Sequence, residues 1–530
     1  MPAKRGNSFV RQAAILAAAS LFVRFIGFLY LIPFTRWLGD TGIGDYKSAF
    51  QIYTFAIALT SGALPVAISR LVSERIARKQ YHNAHQLFKT ALIFGLLMGG
   101  AAGLIMGFAA DYWAVLIGAP GAANAVRALA PALVVVAMLA VFRGYFQGMK
   151  TAVPTAISQV VEQIFKVVAT LWLAHIFLDA ANLAPAVAAG SAGTGIAAVA
   201  GLAVVVFLYA LIAKDLRTRA NRDINASEHK FVQIRAILKT ALPMILTMAI
   251  ISASGILDLN MASARLLYSG AFTTYEVLEL RGQFLGKFIL LTTLPISLSL
   301  ALSTAVVPEI TSAGVQMDTA AVKHKTNLAL RLSMILSIPS AVGLAVLADP
   351  IIALLFPNHP QGGWLLRYGA ASIVLISLVH VLTGALQGLG HIGLPVIAVF
   401  IGVLTKIPVN YVLLGNPSVN ILGLVISTIV CYTVAAAINM FFLYRRTGIL
   451  PGLSSAFVKP LVASAGMGMV CYIAYYAIEM FMPAAVATVA ALCIGAAAYV
   501  LFMCVIKGFR ESDLRAAPLP RRVRALLQRL

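Results

Sequence analysis

A chain of 530 residues that is 61% hydrophobic and only 11% charged, with mean hydropathy +0.92, cannot close its apolar surface around one aqueous core. A net charge of +22 would point to nucleic acid in a soluble protein, but here the cations fall between apolar runs. There they read as topology signals and contacts for anionic lipid, so no nucleic-acid partner is expected.

The apolar runs do not alternate, and each is about as long as a helix needs to cross roughly 30 Å of hydrocarbon. The expected fold class is therefore an all-α polytopic membrane protein. Lys4, Arg5 and Arg11 precede the first run, and no small-residue cleavage site closes it, so it reads as an uncleaved first span. Spans are predicted at 12–34, 46–71, 86–110, 125–148, 155–178, 187–213, 237–266, 281–308, 326–348, 365–389, 394–414, 419–444, 456–480 and 485–507.

Alternate connections differ in charge. The N-terminus, the even-numbered loops and the tail hold Arg75, Arg78, Lys79, Lys150, Arg217, Lys323, Lys325, Arg445 and Arg446, whereas the odd-numbered loops hold mainly Asp40, Asp111, Asp179, Glu276, Asp349 and Glu479. Basic loops stay inside, so both termini are expected in the cytoplasm and the protein in the inner (plasma) membrane.

The longest polar stretch, 214–236, follows span six. It divides an N-terminal lobe (1–213) from a C-terminal lobe (237–448), which is followed by spans thirteen and fourteen (449–508) and a basic tail (509–530). A repeat supports the division. Gly144-Tyr145-Phe146-Gln147-Gly148 precedes Pro154 and Lys166, and Gly384-Ala385-Leu386-Gln387-Gly388 precedes Pro395 and Lys406. Two copies with an even number of spans between them keep one orientation, which predicts a pseudo-twofold along the membrane normal. The tail carries Arg510, Arg515, Arg521, Arg522, Arg524 and Arg529 among Leu and Val, and reads equally as an amphipathic surface helix or as a plain topology signal.

Catalysis finds little support. No phosphate-binding G-x-x-x-x-G-K-[ST] loop, H-E-x-x-H or G-x-S-x-G occurs. Cys431, Cys471, Cys493 and Cys504 sit within apolar runs without C-x-x-C or zinc spacing, and His82 and His85 lie in a basic loop without an acidic ligand. Neither an enzyme nor a resident cofactor or metal is expected.

The informative residues are charges inside spans, because an ion at membrane depth costs several kcal/mol unless it is paired or meets water. Arg24 lies midway through span one, Glu162 and Lys166 in span five, Asp258 in span seven, Lys287 in span eight and Lys406 midway through span eleven. Glu162 and Lys166, four residues apart, are placed to pair along one helix face. Arg143 lies near a span end and reads as an interfacial anchor. Cations facing water inside a bundle would make an anion site, for which Arg24, Lys166, Lys287 and Lys406 are the candidates. Glu162 and Asp258 are the candidate coupling or ion-pair acids.

Two stretches carry a resemblance: Arg24-Phe25-Ile26-Gly27-Phe28 running to Pro33-Phe34 and then Leu64-Pro65-Val66-Ala67, and Arg143-Gly144-Tyr145-Phe146-Gln147-Gly148 with Pro154 to Gln163. The sequence resembles polysaccharide-biosynthesis flippases of the multidrug/oligosaccharidyl-lipid/polysaccharide exporter superfamily, the MurJ-type lipid II flippases and their sporulation relatives in particular. The resemblance implies two six-helix lobes in a V, a central cationic cavity, alternating access and a lipid-tail groove formed by the last two spans. It also places Arg24 in the cavity. Leu29, Tyr30 and Leu31 stand where many Gram-negative members carry an Arg-Asp pair, so part of the cavity charge that the resemblance implies is either missing or supplied by other spans.

The cargo implied is a lipid-linked anionic sugar, lipid II first and another undecaprenyl-linked polysaccharide second. Association with cell-wall synthesis machinery is a further expectation. A cation-coupled drug exporter and a polytopic glycosyltransferase or polymerase stay as alternatives, and a coupling ion, sodium or proton, stays open.

Overall fold

The structure, a computed structural model, describes residues 3–179, 182–221, 228–300, 310, 318–391, 393–448 and 453–509. Among these residues every regular element is helical, as lipid requires of a backbone that must satisfy its own hydrogen bonds. Twelve helices are long and apolar enough to span a bilayer, and a pair bent by 45°, Pro120–Leu129 with Ala132–Gly148, supplies a thirteenth. The first helix, whose apolar stretch Ala18–Leu29 is shorter, completes the expected set of about fourteen. The basic tail beyond Phe509 lies outside the described residues.

Contacts divide the chain into two compact units, Met1–Ala264 and Arg265–Leu530. The N-terminal unit contains α1 (Ala3–Leu29), α2 (Leu31–Thr60), α3 (Leu64–Ala77), α4 (Tyr81–Phe108), α5 (Ala110–Leu116), α6 (Ala123–Leu129), α7 (Ala132–Gly148), α8 (Val153–Ile176), α9 (Ala184–Asn221) and most of α10 (Lys230–Tyr268). The division falls at the end of the seventh span, later than the polar stretch 214–236. Side-chain bonds along α10 and the residues just before it account for this. Arg75 pairs with Glu228 at 2.6 Å, Thr90 donates to Gln233 at 2.6 Å, Gln51 donates to the Ser252 carbonyl at 3.0 Å, and Ser263 donates to the Ile117 carbonyl at 3.2 Å.

The core of this unit joins α3, α4, α7 and α9 through Leu64, Ile68, Phe88, Tyr145, Phe146 and Val205. Small residues permit the close approaches. A Cβ at Gly99 would stand 2.8 Å from the Leu133 carbonyl, and one at Gly103 2.8 Å from that of Ala130, so the glycine stripe of α4 is the surface that meets α7.

The C-terminal unit contains α11 (Thr274–Leu300), α12 (Thr319–Val346), α13 (Ala348–Leu355), α14 (Gly363–Gly369), α15 (Ala371–Gly388), α16 (Gly393–Leu414), α17 (Leu422–Thr447), α18 (Leu453–Glu479) and α19 (Ala484–Val505). Its core repeats the first at an offset of ~240 residues: Val379, Val381, Leu382, Ala385 and Leu386 are buried where Leu139, Val141, Phe142, Tyr145 and Phe146 are buried in the first copy. The repeat extends to the surface, where Arg127 pairs with Asp111 in one unit and Arg367 with Asp349 in the other. Two copies of one helical plan thus underlie the chain.

Candidate functional site

The N-terminal unit gathers its polar membrane residues where α1, α2 and α8 meet. α1 and α8 run together: Ser20 donates to Gln159 Oε1 across 3.4 Å, and Gln163 Nε2 would stand 3.3 Å from a Cβ at Gly27. α2 begins immediately after Tyr30 and bends at Gly39, whose φ of 64° and ψ of −174° suit only a residue without a side chain. Past the bend, Tyr46, Phe50 and Tyr53 follow one another on one face at helical spacing. Tyr46 stacks on Phe50 at a centroid distance of 5.8 Å, Phe50 meets Tyr53 tilted at 5.4 Å, and Phe34 closes edge-on against Tyr46 at 4.8 Å.

Lys166, predicted from the sequence, lies with its Nζ 4.4 Å from the centroid of the Phe50 ring. A desolvated cation over an aromatic face gains about 2 kcal/mol, which holds the ammonium in place without neutralising it. Lys47, one residue after Tyr46, lines the same space. Together with Gly27, Tyr30, Leu31 and Gln163 these residues line an open-sided cavity of about 190 Å³. The Tyr30 and Tyr46 hydroxyls lie 3.4 Å apart, and Gln163 Nε2 is buried with no hydrogen-bond partner in the protein. Among the described residues neither lysine forms an ion pair. Two ammonium groups and an unsatisfied amide donor around one small space, beside two phenols that share one hydrogen bond, suit an oxygen-rich anion, because the amide gains a bond that the protein does not supply.

Glu162 does not pair with Lys166 as its spacing suggests. It accepts from Arg143 Nη2 on α7 at 2.6 Å, while Arg143 Nε donates to Ser158 Oγ at 2.9 Å. The guanidinium fork reaches two α8 groups one turn apart, a geometry that an ammonium one turn away on the same helix cannot match. Arg143 is accordingly an internal ion-pair partner and not an interfacial anchor. By occupying the carboxylate it leaves Lys166 to the cavity.

The remaining sequence-predicted residues are not among those that line this cavity. Arg24 stands about a turn before Gly27 on α1, exposed, and is not part of the cavity wall. Asp258 is half-buried on α10. In the C-terminal unit, Lys406 is buried on α16, and Lys287 is fully buried, donating to the carbonyls of His359 and Gln361 at 2.7 and 2.9 Å.

Lys47 is the residue that sequence reasoning missed. A span drawn at 46–71 puts it at a membrane edge, whereas the helix starts at Leu31 and carries Lys47 well inside. The available signal was the run Tyr46-Lys47-x-x-Phe50, a lone cation on an aromatic helix face.

Comparison with known proteins places this arrangement. The family described as polysaccharide biosynthesis protein matches residues 9–314, more than half of the chain and all of the helices that form the cavity. The chain belongs to the polysaccharide biosynthesis protein family. The MatE family also matches residues 285–412, within the C-terminal unit, and the two matches set the chain in the multidrug/oligosaccharidyl-lipid/polysaccharide exporter superfamily, a superfamily of transporters.

Among relatives from Bacillus subtilis (strain 168), Stage V sporulation protein B is 26% identical over 527 residues, covering 97% of this chain and 98% of its own. Lipid II flippase MurJ is 25% identical over 524 residues, covering 93% and 94%. Among solved structures, the lipid II flippase MurJ in an inward closed conformation superposes with a TM-score of 0.70 at 17% identity, over 93% of this chain and 98% of that one. An inward-facing MATE family multidrug transporter gives 0.67 at 17% identity, over 81% and 95%. These likenesses establish a shared fold across nearly the whole length.

Proposed function

We propose that this family member is a flippase for an undecaprenyl-pyrophosphate-linked oligosaccharide, the peptidoglycan precursor lipid II, moved from the inner to the outer leaflet by alternating access. The observation that carries the reading is the cavity in the N-terminal unit, where Lys47, Lys166 and the unpartnered Gln163 amide converge in a span region of an otherwise apolar chain. A cationic drug would be repelled from that space, while a phosphate group gains charge-assisted bonds there. The lipid tail would stay in the bilayer while the headgroup crosses, with both termini on the cytoplasmic side.

Lipid II as the cargo rests on the relative named lipid II flippase MurJ. The relative named Stage V sporulation protein B, of similar identity, leaves a different lipid-linked sugar as the competing cargo. A carrier of this kind gains direction only from differential affinity between its states, so the anion site must weaken on the outer side. Depletion of the protein in its host tests the cargo: lipid II should accumulate on the inner leaflet. Accumulation of another undecaprenyl-linked sugar with lipid II unchanged would assign that sugar instead. Purified protein in liposomes tests the class, with net transfer of labelled lipid II and no new glycosidic bond expected.

A further inference from the structure

The cavity wall of α2 is tied to a helix that contributes no lining residue, α10. Gln51 follows Phe50 directly and stands one helical turn after Lys47, so it shares their stretch of helix without lining the cavity itself. Its Nε2 donates to the Ser252 carbonyl at 3.0 Å, near the middle of α10. Gly255 leaves room for that approach. A Cβ at this position would stand 2.7 Å from Gln51 Cδ and 3.2 Å from its Oε1, so any larger residue displaces the amide. Met248, Ser252 and Gly255 recur at helical spacing on one face of α10, and Met248 Sδ lies 3.0 Å from where a Cβ of Gly62 would stand. Further back on α10, Ala241 packs with Ala63 and Ala67. Contacts among small apolar residues allow one helix to turn against another. A hydrogen bond in their midst has a preferred distance and angle, and so fixes the register.

The cavity depends on that register. α2 brings Tyr46, Lys47 and Phe50 to the lining, and the Phe50 ring faces the Lys166 ammonium at 4.4 Å. A turn of α2 between the break at Gly39 and its end at Thr60 shifts the Phe50 ring and the Lys47 stem together. Cation–π attraction and charge-assisted bonds both weaken steeply with such shifts. We propose that Gln51, held by the Ser252 carbonyl and admitted by Gly255, is a positioning residue for the anion cavity. It sets the turn of α2 that presents Lys47 and Phe50 to an incoming phosphate, and touches no cargo itself. The inference rests on the reading of that cavity as an anion site. A plain packing contact differs in one respect: its loss lowers the Tm and leaves the anion affinity of the folded protein unchanged.

The test uses the full-length chain in detergent at constant ionic strength, with inorganic pyrophosphate as the probe. Amine-reactive labelling of Lys47 and Lys166, read by mass spectrometry, gives the pyrophosphate concentration that half-protects them. Gln51→Met keeps the bulk and removes the donor, and should raise that concentration about three- to tenfold. Gly255→Ala should raise it by a similar factor, because the added methyl pushes the flexible amide end off the carbonyl. Alanine is the better helix former, so the Tm of this variant should be no lower than wild type. Both substitutions break one bond, so together they should do no more than either alone. Half-protection left unchanged by either single variant overturns the proposal, as do effects that multiply in the double variant. Should Gln51→Met give no folded protein, Gly255→Ala decides by the same criterion. A wild type that pyrophosphate does not protect overturns the anion-site reading itself, and the positioning role with it.

Discussion

Lys47 and Lys287 occupy corresponding positions in the two units, separated by the same ~240 residues that separate Lys166 from Lys406. Their ammonium groups nevertheless end in opposite kinds of place. In the first copy, a bend at Gly39 carries an aromatic helix face past α8, and Lys47 lines a cavity beside Lys166. In the second, a π-helical turn directs Lys287 into a loop whose carbonyls close around it. The same residue type at the same step of a duplicated plan lines a cavity, the proposed binding site, in one half and ties down a loop in the other. The local backbone decides which, because a buried ammonium goes to whatever acceptors lie within reach.

The largest expected effect comes from emptying the N-terminal pair. Each charge-assisted bond to a phosphate is worth about 1.5–3 kcal/mol, so Lys47→Met with Lys166→Met should cut lipid II transfer in proteoliposomes about 100-fold or more. The arginine versions should retain most of it. The comparison between the halves breaks if Lys287→Met, corrected for folded protein, loses transfer as steeply.

Next is Arg143→Ala. Glu162 would be left half-buried without its partner, and the pair's partial exposure lowers the usual penalty for a broken buried pair to about 1–3 kcal/mol. The carboxylate would then be available to Lys166, so transfer should fall as well. Arg143→Ala with Glu162→Gln should recover both the Tm and the transfer. A double variant no better than the single one would mean that Arg143 acts by some route other than holding the carboxylate.

Arg24→Ala should lower transfer by about tenfold or less, since the residue is exposed and does not line the cavity that holds Lys47 and Lys166. Unchanged transfer at normal protein levels removes it from the pathway.

The smallest effects are expected at the duplicated surface pairs. Arg127→Ala and Arg367→Ala should each change stability by less than about 1 kcal/mol in thermal melts, because all four side chains are largely exposed. A markedly larger loss in one unit than in the other would show that the two halves differ at their surfaces as well as in their lysine sites.

Much of the fold was legible in the sequence. The helices follow the apolar runs closely, and the glycine stripe of α4 marks the surface that meets α7. The repeat signalled by the two G-x-x-Q-G segments reappears as paired cores and paired surface ion pairs. The candidate site was legible only in part. Lys166 was found because it is an ion at membrane depth, while Lys47 was hidden by a span boundary drawn at Tyr46. A hydropathy pattern cannot register that helical structure resumes directly after the break at Gly39, ahead of Tyr46. Glu162 was assigned the wrong partner because spacing along one helix shows neighbours on that helix alone, and the stronger partner, Arg143, comes from α7.

The sequence by itself determined that the chain lives in lipid, how many times it crosses, and that its plan is used twice. Those properties follow from length, hydropathy and repetition, each a sum over many residues. Only the tertiary structure decided what each buried charge does. Whether an ammonium meets a carboxylate, a ring, a carbonyl or an open cavity depends on a few ångströms between helices distant in sequence, and the cost of an unsatisfied ion makes those few ångströms decisive.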